Sequence, residues 1–199
     1  MRDCLVVGRQ GAGKTLMSLR MMEQVGVRAP LVVHELPSGA YEQRVWQLAE
    51  AYSELVGVAG SGHTTLGIQT FGLGFTRALK ERLLLHDSTG LSQGVVEDQM
   101  VRLGMARTLE RLASASSCLH VMDGQTISSN EHLSVIDQTL IEFAQGRGLP
   151  YWLVVNKIDL KPAREAVKMI KRRYRQVDVR AVSALSGEGM SALCQVFVQ

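Results

Sequence analysis

The octapeptide Gly8-Arg9-Gln10-Gly11-Ala12-Gly13-Lys14-Thr15 constrains this chain more than any other stretch. It follows the apolar run Cys4-Leu5-Val6-Val7 and leads into Met17, Leu19, Met21 and Met22, a core-packing pattern at helical spacing. A strand that turns on glycines straight into a helix fits G-x-x-x-x-G-K-[ST] in the context the motif demands. Glycines let backbone N–H groups turn inward to a phosphate, and the helix N-terminus adds its positive end. Lys14 can reach β- and γ-phosphates, and the Thr15 hydroxyl suits Mg²⁺.

The remaining apolar segments alternate in character. Leu31-Val32-Val33 reads as an extra strand, Tyr41 to Val56 as an amphipathic helix, and Leu66 to Phe75 and Arg82 to His86 as adjacent strands joined through Arg77 to Glu81. Met100 to Leu112, Leu133 to Ala144, Pro162 to Tyr174 and Met190 to Val198 read as helices. Cys118 to Met122, Tyr151 to Val155 and Val177 to Val182 read as strands. Strand–helix alternation with short apolar strands predicts a mostly parallel sheet covered on both faces, a three-layer α/β fold with one antiparallel strand before Asp87. With 199 residues, no repeat and no low-complexity tract, the expectation is one domain spanning 1–199. The 46% hydrophobic content excludes wholesale disorder, and the net charge of +3 permits anionic partners without specifying nucleic acid.

Three widely spaced cysteines argue for a reducing, cytoplasmic setting. The N-terminus lacks a signal-peptide pattern. Leu55 to Thr76 carries no formal charge but is diluted by six glycines, His63 and Gln69, so it reads as loop plus strand and no transmembrane segment is expected. His34-Glu35 lacks the partner histidine of a zinc helix.

Three further motifs stand at the ends of apolar strands: Asp87-Ser88-Thr89-Gly90, Asn156-Lys157-Ile158-Asp159 and Ser183-Ala184-Leu185. With the phosphate loop, their order resembles that of small P-loop GTPases of the translation-factor-related class, in particular bacterial Era-like or Ras-like G domains. The resemblance implies GTP/GDP and Mg²⁺ as ligands. It places Gly8, Gly11, Ala12, Gly13, Lys14 and Thr15 around the phosphates, with Asp87 on Mg²⁺ through water and the Gly90 N–H at the γ-phosphate. It gives Asp159 the guanine N1–H and 2-amino group, a pairing adenine cannot supply. Asn156 would tie neighbouring loops together, the Lys157 stem would cover one purine face, and the Ala184 N–H, between Ser183 and Leu185, would meet O6. Thr64 and Thr65 both stand where the family places a Mg²⁺-binding switch threonine, and the separation from Asp87 favours Thr65. Lys14, Thr65 and Gly90 are the catalytic candidates; Thr15, Thr65 and Asp87 are the metal candidates.

Departures from the pattern carry their own expectations. Leu91 occupies the position of the Ras-type water-orienting glutamine and cannot hydrogen-bond water, which implies turnover of roughly 10⁻⁴ to 10⁻³ s⁻¹ without a partner. Gly11 replaces the asparagine that holds potassium in many Era-like proteins, and Gln10 crowds the path of a Ras-type arginine finger. The stretch from Thr15 to Thr64 is longer than in compact G domains, giving an extended switch I region over about 28–63. Lys168, Lys171, Arg172, Arg173 and Arg175 form a solvated basic face or a contact for RNA, the ribosome or an acidic membrane. His86 and His63 flank motif residues, and Asp123 is read as a cap for its loop. An unidentified protein effector or activator is expected. A GTP-responsive scaffold with negligible hydrolysis and a P-loop ATPase or kinase are the alternatives, the latter disfavoured by Asn156 and Asp159.

Overall fold

The computed structural model describes residues 2–56, 65–73, 83–127 and 133–197. The strands are β1 (Arg2–Val7), β2 (Leu31–Glu35), β3 (Tyr41–Val45), β4 (Ile68–Leu73), β5 (Leu83–Ser88), β6 (Cys118–Asp123), β7 (Tyr151–Asn156) and β8 (Asp178–Ala181). The helices are α1 (Lys14–Gln24), α2 (Leu48–Ala51), α3 (Gln99–Ser114), α4 (Val135–Arg147), α5 (Lys161–Arg173) and α6 (Met190–Cys194). Among the described residues the strands form one eight-stranded sheet in the order β3-β2-β4-β5-β1-β6-β7-β8. Pairings from β5 through β8 are parallel, and β4 runs antiparallel to β5 as the sequence predicts.

Strand alternation in β1 divides the core. Cys4 and Val6 face α1 and α6 with Met17, Met21, Met22 and Leu193, while Leu5 and Val7 face the opposite layer with Leu112 and Leu140. The central strands are buried on both faces, which is why their sequences read as continuous apolar runs. Helix starts follow local chemistry. The Asp98 carboxylate accepts from the N–H groups of Met100 and Val101, Ser134 Oγ accepts from Asp137 N–H, and Pro162 sits in the first turn of α5. All three cysteines are buried and free.

One expected element differs. Tyr41–Val45 is not the start of a helix but a strand, hairpinned antiparallel to β2, and this adds a second antiparallel strand to the one anticipated. The turn closes through Leu36 N–H to the Ala40 carbonyl (2.8 Å), with Gly39 at φ 86°, so Pro37-Ser38-Gly39 folds the chain back before helical spacing can take effect. Helix begins only at Leu48 and continues as a π-helical turn over Tyr52–Val56. The link Arg77 to Glu81 and residues 57–64 lie outside the described residues. Among the described residues no helix is long and apolar enough to cross a membrane.

His86, beside Asp87, points to the other sheet face by strand alternation. Its ring meets Asp3 Oδ1 (2.7 Å), Thr70 Oγ1 (2.8 Å) and Arg111 Nη2 (3.2 Å), so it is a buried packing residue. Burial lowers its pKa to about 4; Asp3 opposes the shift and Arg111 adds to it. A depressed folded pKa means stability present above pH 6.5 and lost as pH falls towards 4. Relative to His86→Gln, the natural protein should lose roughly 2–3 kcal/mol more between pH 7 and 4 in urea melts. Parallel pH curves for the two proteins would contradict this.

Candidate functional site

The site lies along the carboxyl ends of β1, β5, β7 and β8, where an open α/β sheet presents its loops. Immediately after β1 the chain passes so close to β6 that a Cβ at Gly8 would come 2.1 Å from the Val121 carbonyl oxygen. Gly13, at φ 88°, precedes α1 with no side-chain cap, and the first turn of α1 has no acidic residue. The helix therefore presents unsatisfied N–H groups and its positive end to the loop. Lys14 is buried and curls over that loop, donating from Nζ to the Arg9 carbonyl (3.1 Å). Burial lowers the pKa of its ammonium, and Asp87 opposes the shift.

Three oxygen-bearing side chains from distant segments meet beside Lys14. Thr15 Oγ1 donates to Asp87 Oδ2 (2.6 Å) and lies 3.0 Å from Thr65 Oγ1. Asp87 is fully buried, and among the described residues its Oδ1 has no hydrogen-bond partner. Burial raises the pKa of this carboxyl to about 6, against the pull of Lys14 and Thr15. Two hydroxyls and an orphaned carboxylate oxygen are hard donors of the kind Mg²⁺ takes, so these residues fit that ion. Among the described residues no cluster of three His, Cys, Asp or Glu side chains could hold a metal. Thr64 and His63 fall outside the described residues. His34 Nε2 meets the Leu66 carbonyl (2.5 Å) and so braces the segment carrying Thr65.

The loop after β5 is zipped onto the phosphate loop. Leu91 N–H donates to the Gly8 carbonyl (3.1 Å), and Gln10 N–H donates to the Leu91 carbonyl (3.2 Å). A Cβ at Gly90 would lie 2.5 Å from Gln10 Cα, so only glycine passes there. The Leu91 side chain is buried with Leu5, Val7, Leu112 and Leu140.

At the other end of the site, the buried Asn156 carboxamide donates to the Ala12 carbonyl (2.8 Å) and accepts from Ala184 N–H (2.9 Å). The Ala184 N–H, expected to meet a base carbonyl, is thus already engaged, and an incoming acceptor must share it. Ser183 Oγ accepts from Ser186 N–H (3.0 Å) and shapes the same loop, whose Leu185 is exposed. Lys157 sits at φ 66° with Nζ 2.6 Å from Asp123 Oδ2. Asp123 also caps its own turn through Gln125 N–H (2.9 Å), so the role expected from sequence is joined by a second. Asp159 is exposed at the mouth.

Sequence reasoning missed two supports. Arg20 donates from Nε to the Ala184 carbonyl and from Nη2 to the Leu185 carbonyl (both 3.0 Å), and it pairs with Glu23, which accepts from Tyr52. The Thr89 hydroxyl donates to the Gly67 carbonyl (2.9 Å) and accepts from Gly67 N–H (2.8 Å), while Thr108 Oγ1 donates to the Thr89 carbonyl (3.2 Å). Thr89 therefore locks the Thr65 segment, the Gly90 loop and α3 together. Arg20 lies outside every motif, and Thr89 lies inside one that does not foretell its bridging role; each acts through partners remote in sequence.

No protein-family profile matches the chain. It is similar to GTPase Obg of Desulfatibacillum aliphaticivorans, 25% identical over 198 residues, which cover 96% of this chain and 55% of that protein. It is 31% identical over 114 residues to the tRNA modification GTPase MnmE of Heliobacterium modesticaldum, across 57% of this chain and 22% of that protein. The chain thus spans no more than about half the length of these relatives. Among solved structures, Era in complex with MgGDPNP and nucleotides 1506–1542 of 16S ribosomal RNA superposes with a TM-score of 0.66 at 15% identity, covering 99% of this chain and 55% of that one. A GDP-bound point mutant of the S. thermophilus FeoB G-domain gives a TM-score of 0.59 at 18% identity, covering 100% and 60%.

Replacing Asn156 with Ala strands two buried backbone groups, the Ala12 carbonyl and the Ala184 N–H. Asn156→Ala should cost about 2–4 kcal/mol of unfolding free energy with no nucleotide added, measured by denaturant titration. A loss under about 0.5 kcal/mol would mean that this clip is not structural.

Proposed function

We propose that this chain, a P-loop G domain of the bacterial Era-like kind, binds GTP with Mg²⁺, hydrolyses it slowly to GDP and phosphate, and acts as a nucleotide-controlled switch. The observation that carries the reading is the meeting of Thr15, Thr65 and Asp87, with its orphaned Oδ1, beside Lys14 at the uncapped start of α1. Mg²⁺ bound by these oxygens supplies charge neutralisation for the phosphates. Lys14 and the N–H groups of Gly11, Gly13 and Thr15 hold the phosphate oxygens, and the Gly90 N–H faces the γ-phosphate. Asp159 selects guanine, the Lys157 stem lies along the base with its ammonium held by Asp123, and Ala184 N–H is shared with O6.

Water for hydrolysis is positioned by something other than Leu91, whose side chain is turned into the core. That observation supports slow turnover, and it also favours a second reading: a GTP-responsive binding module with negligible hydrolysis. Loss of the γ-phosphate releases the Thr65 segment and the Gly90 loop together, because Thr89 joins them. The stretch 28–63 forms the extended switch I region of a single domain acting in the cytoplasm. A protein effector or activator reads that region. The exposed bases at the end of α5 complement its dipole first, and an RNA, ribosomal or acidic-membrane contact falls on them.

Single-turnover assays with Mg²⁺ test the proposal. GTP, and not ATP, should release phosphate at roughly 10⁻⁴ to 10⁻³ s⁻¹, and Lys14→Ala should abolish release. Tight GTP binding without release would favour the scaffold, and equal use of ATP would overturn the assignment of Asp159. Because Gly11 offers no side-chain ligand, potassium and sodium should give the same rate within about twofold; a large potassium-specific stimulation would contradict this.

A further inference from the structure

The outer edge of the sheet is β3, and all five of its residues are exposed. The bonds from Leu36 N–H to the Ala40 carbonyl and from Trp46 N–H to the Pro30 carbonyl set the phase of the hairpin ladder. In that phase Glu42 and Arg44 exchange bonds with β2, and the N–H and C=O groups of Tyr41, Gln43 and Val45 point outward. Among the described residues nothing pairs with those outward groups. Arg44 opposes the buried Val32 and stacks over the Trp46 ring at 3.8 Å, so Glu42 and Arg44 share one face and Tyr41, Gln43 and Val45 the other.

Edges are usually blunted by charges that repel a second strand. Here the charges do the reverse, because their signs match under a two-fold axis. We propose that β3 is a self-pairing edge, joining antiparallel to β3 of a second copy of this chain about a two-fold axis at Gln43. Gln43 then faces its own counterpart, and each opposed pair of outward residues exchanges both N–H···O bonds. On one face Glu42 lies opposite Arg44 of the second copy, and the symmetry makes this pairing twice. On the other face Tyr41, 68% exposed, lies opposite Val45, 60% exposed, and Leu31, 45% exposed and in register with Val45, extends the apolar row. Aromatic to β-branched and opposite-charge pairs are the cross-strand contacts that stabilise sheets. A junction five residues long stays below the area of a permanent interface, so the dimer dissociates on the order of 0.1 mM. This inference stands independently of the nucleotide reading.

Sedimentation equilibrium of the full chain, from micromolar to near-millimolar concentration, tests it. The natural protein should pass from monomer to dimer. Gln43→Pro, which removes an outward N–H that the hairpin does not use, should remain monomeric with unchanged circular dichroism. Glu42→Arg and Arg44→Glu should each weaken self-association roughly tenfold, and an equimolar mixture of the two should recover it as a heterodimer, because every cross-strand pair is then complementary again. A natural protein that stays monomeric throughout would overturn the proposal. So would a dimer that persists in Gln43→Pro, or a mixture associating no better than its components.

Discussion

One buried carboxamide joins the two ends of the site. Asn156 ends β7 with its side chain inside the protein, where it spans from the Ala12 carbonyl of the phosphate loop to the Ala184 N–H of the loop after β8. Both partners are buried, so neither can turn to water instead. An amide fits this place because it offers a donor and an acceptor in one plane; aspartate lacks the donor. Through this link the segment that would hold phosphates and the segment that would hold a base keep a fixed distance.

The opposite end of the site is built from burial and proximity. Asp87 has its carboxyl pKa raised by burial, beside a lysine whose pKa burial lowers, and each partly compensates the other. Its Oδ1, which meets no donor among the described residues, is a cost that a cation would remove. Around it, Thr89 ties the Thr65 segment and the Gly90 loop into one hydrogen-bonded unit with α3. A Cβ at Gly104 would lie 2.5 Å from Thr89 Oγ1, so helix and loop touch directly. A change at Thr65 would therefore be felt at Gly90 through a few short bonds.

Much of this was legible in advance where the chemistry is local. The glycine pattern before Lys14, the carboxylate ending β5 and the polar tetrapeptide ending β7 are each set by residues adjacent in sequence. Reading failed where the deciding partner is remote. Tyr41–Val45 has spacing compatible with a helix, and only the turn at Gly39 and the ladder with β2 make it a strand. The roles of Arg20, of Asp123 as the partner of Lys157, and of Thr89 as a bridge to Gly67 are marked by no motif, since each acts across long loops of chain.

The sequence by itself determined the layer architecture and which candidate residues stand at the strand ends, because strand burial and phosphate-loop chemistry are written in short runs. Tertiary structure alone decided how those residues are held. It set which Asn156 atoms are already used, turned Leu91 into the core and His86 to the far face, and left β3 at the edge of the sheet among the described residues. These outcomes depend on contacts between residues dozens of positions apart, and no local preference can specify which of several compatible partners a side chain meets.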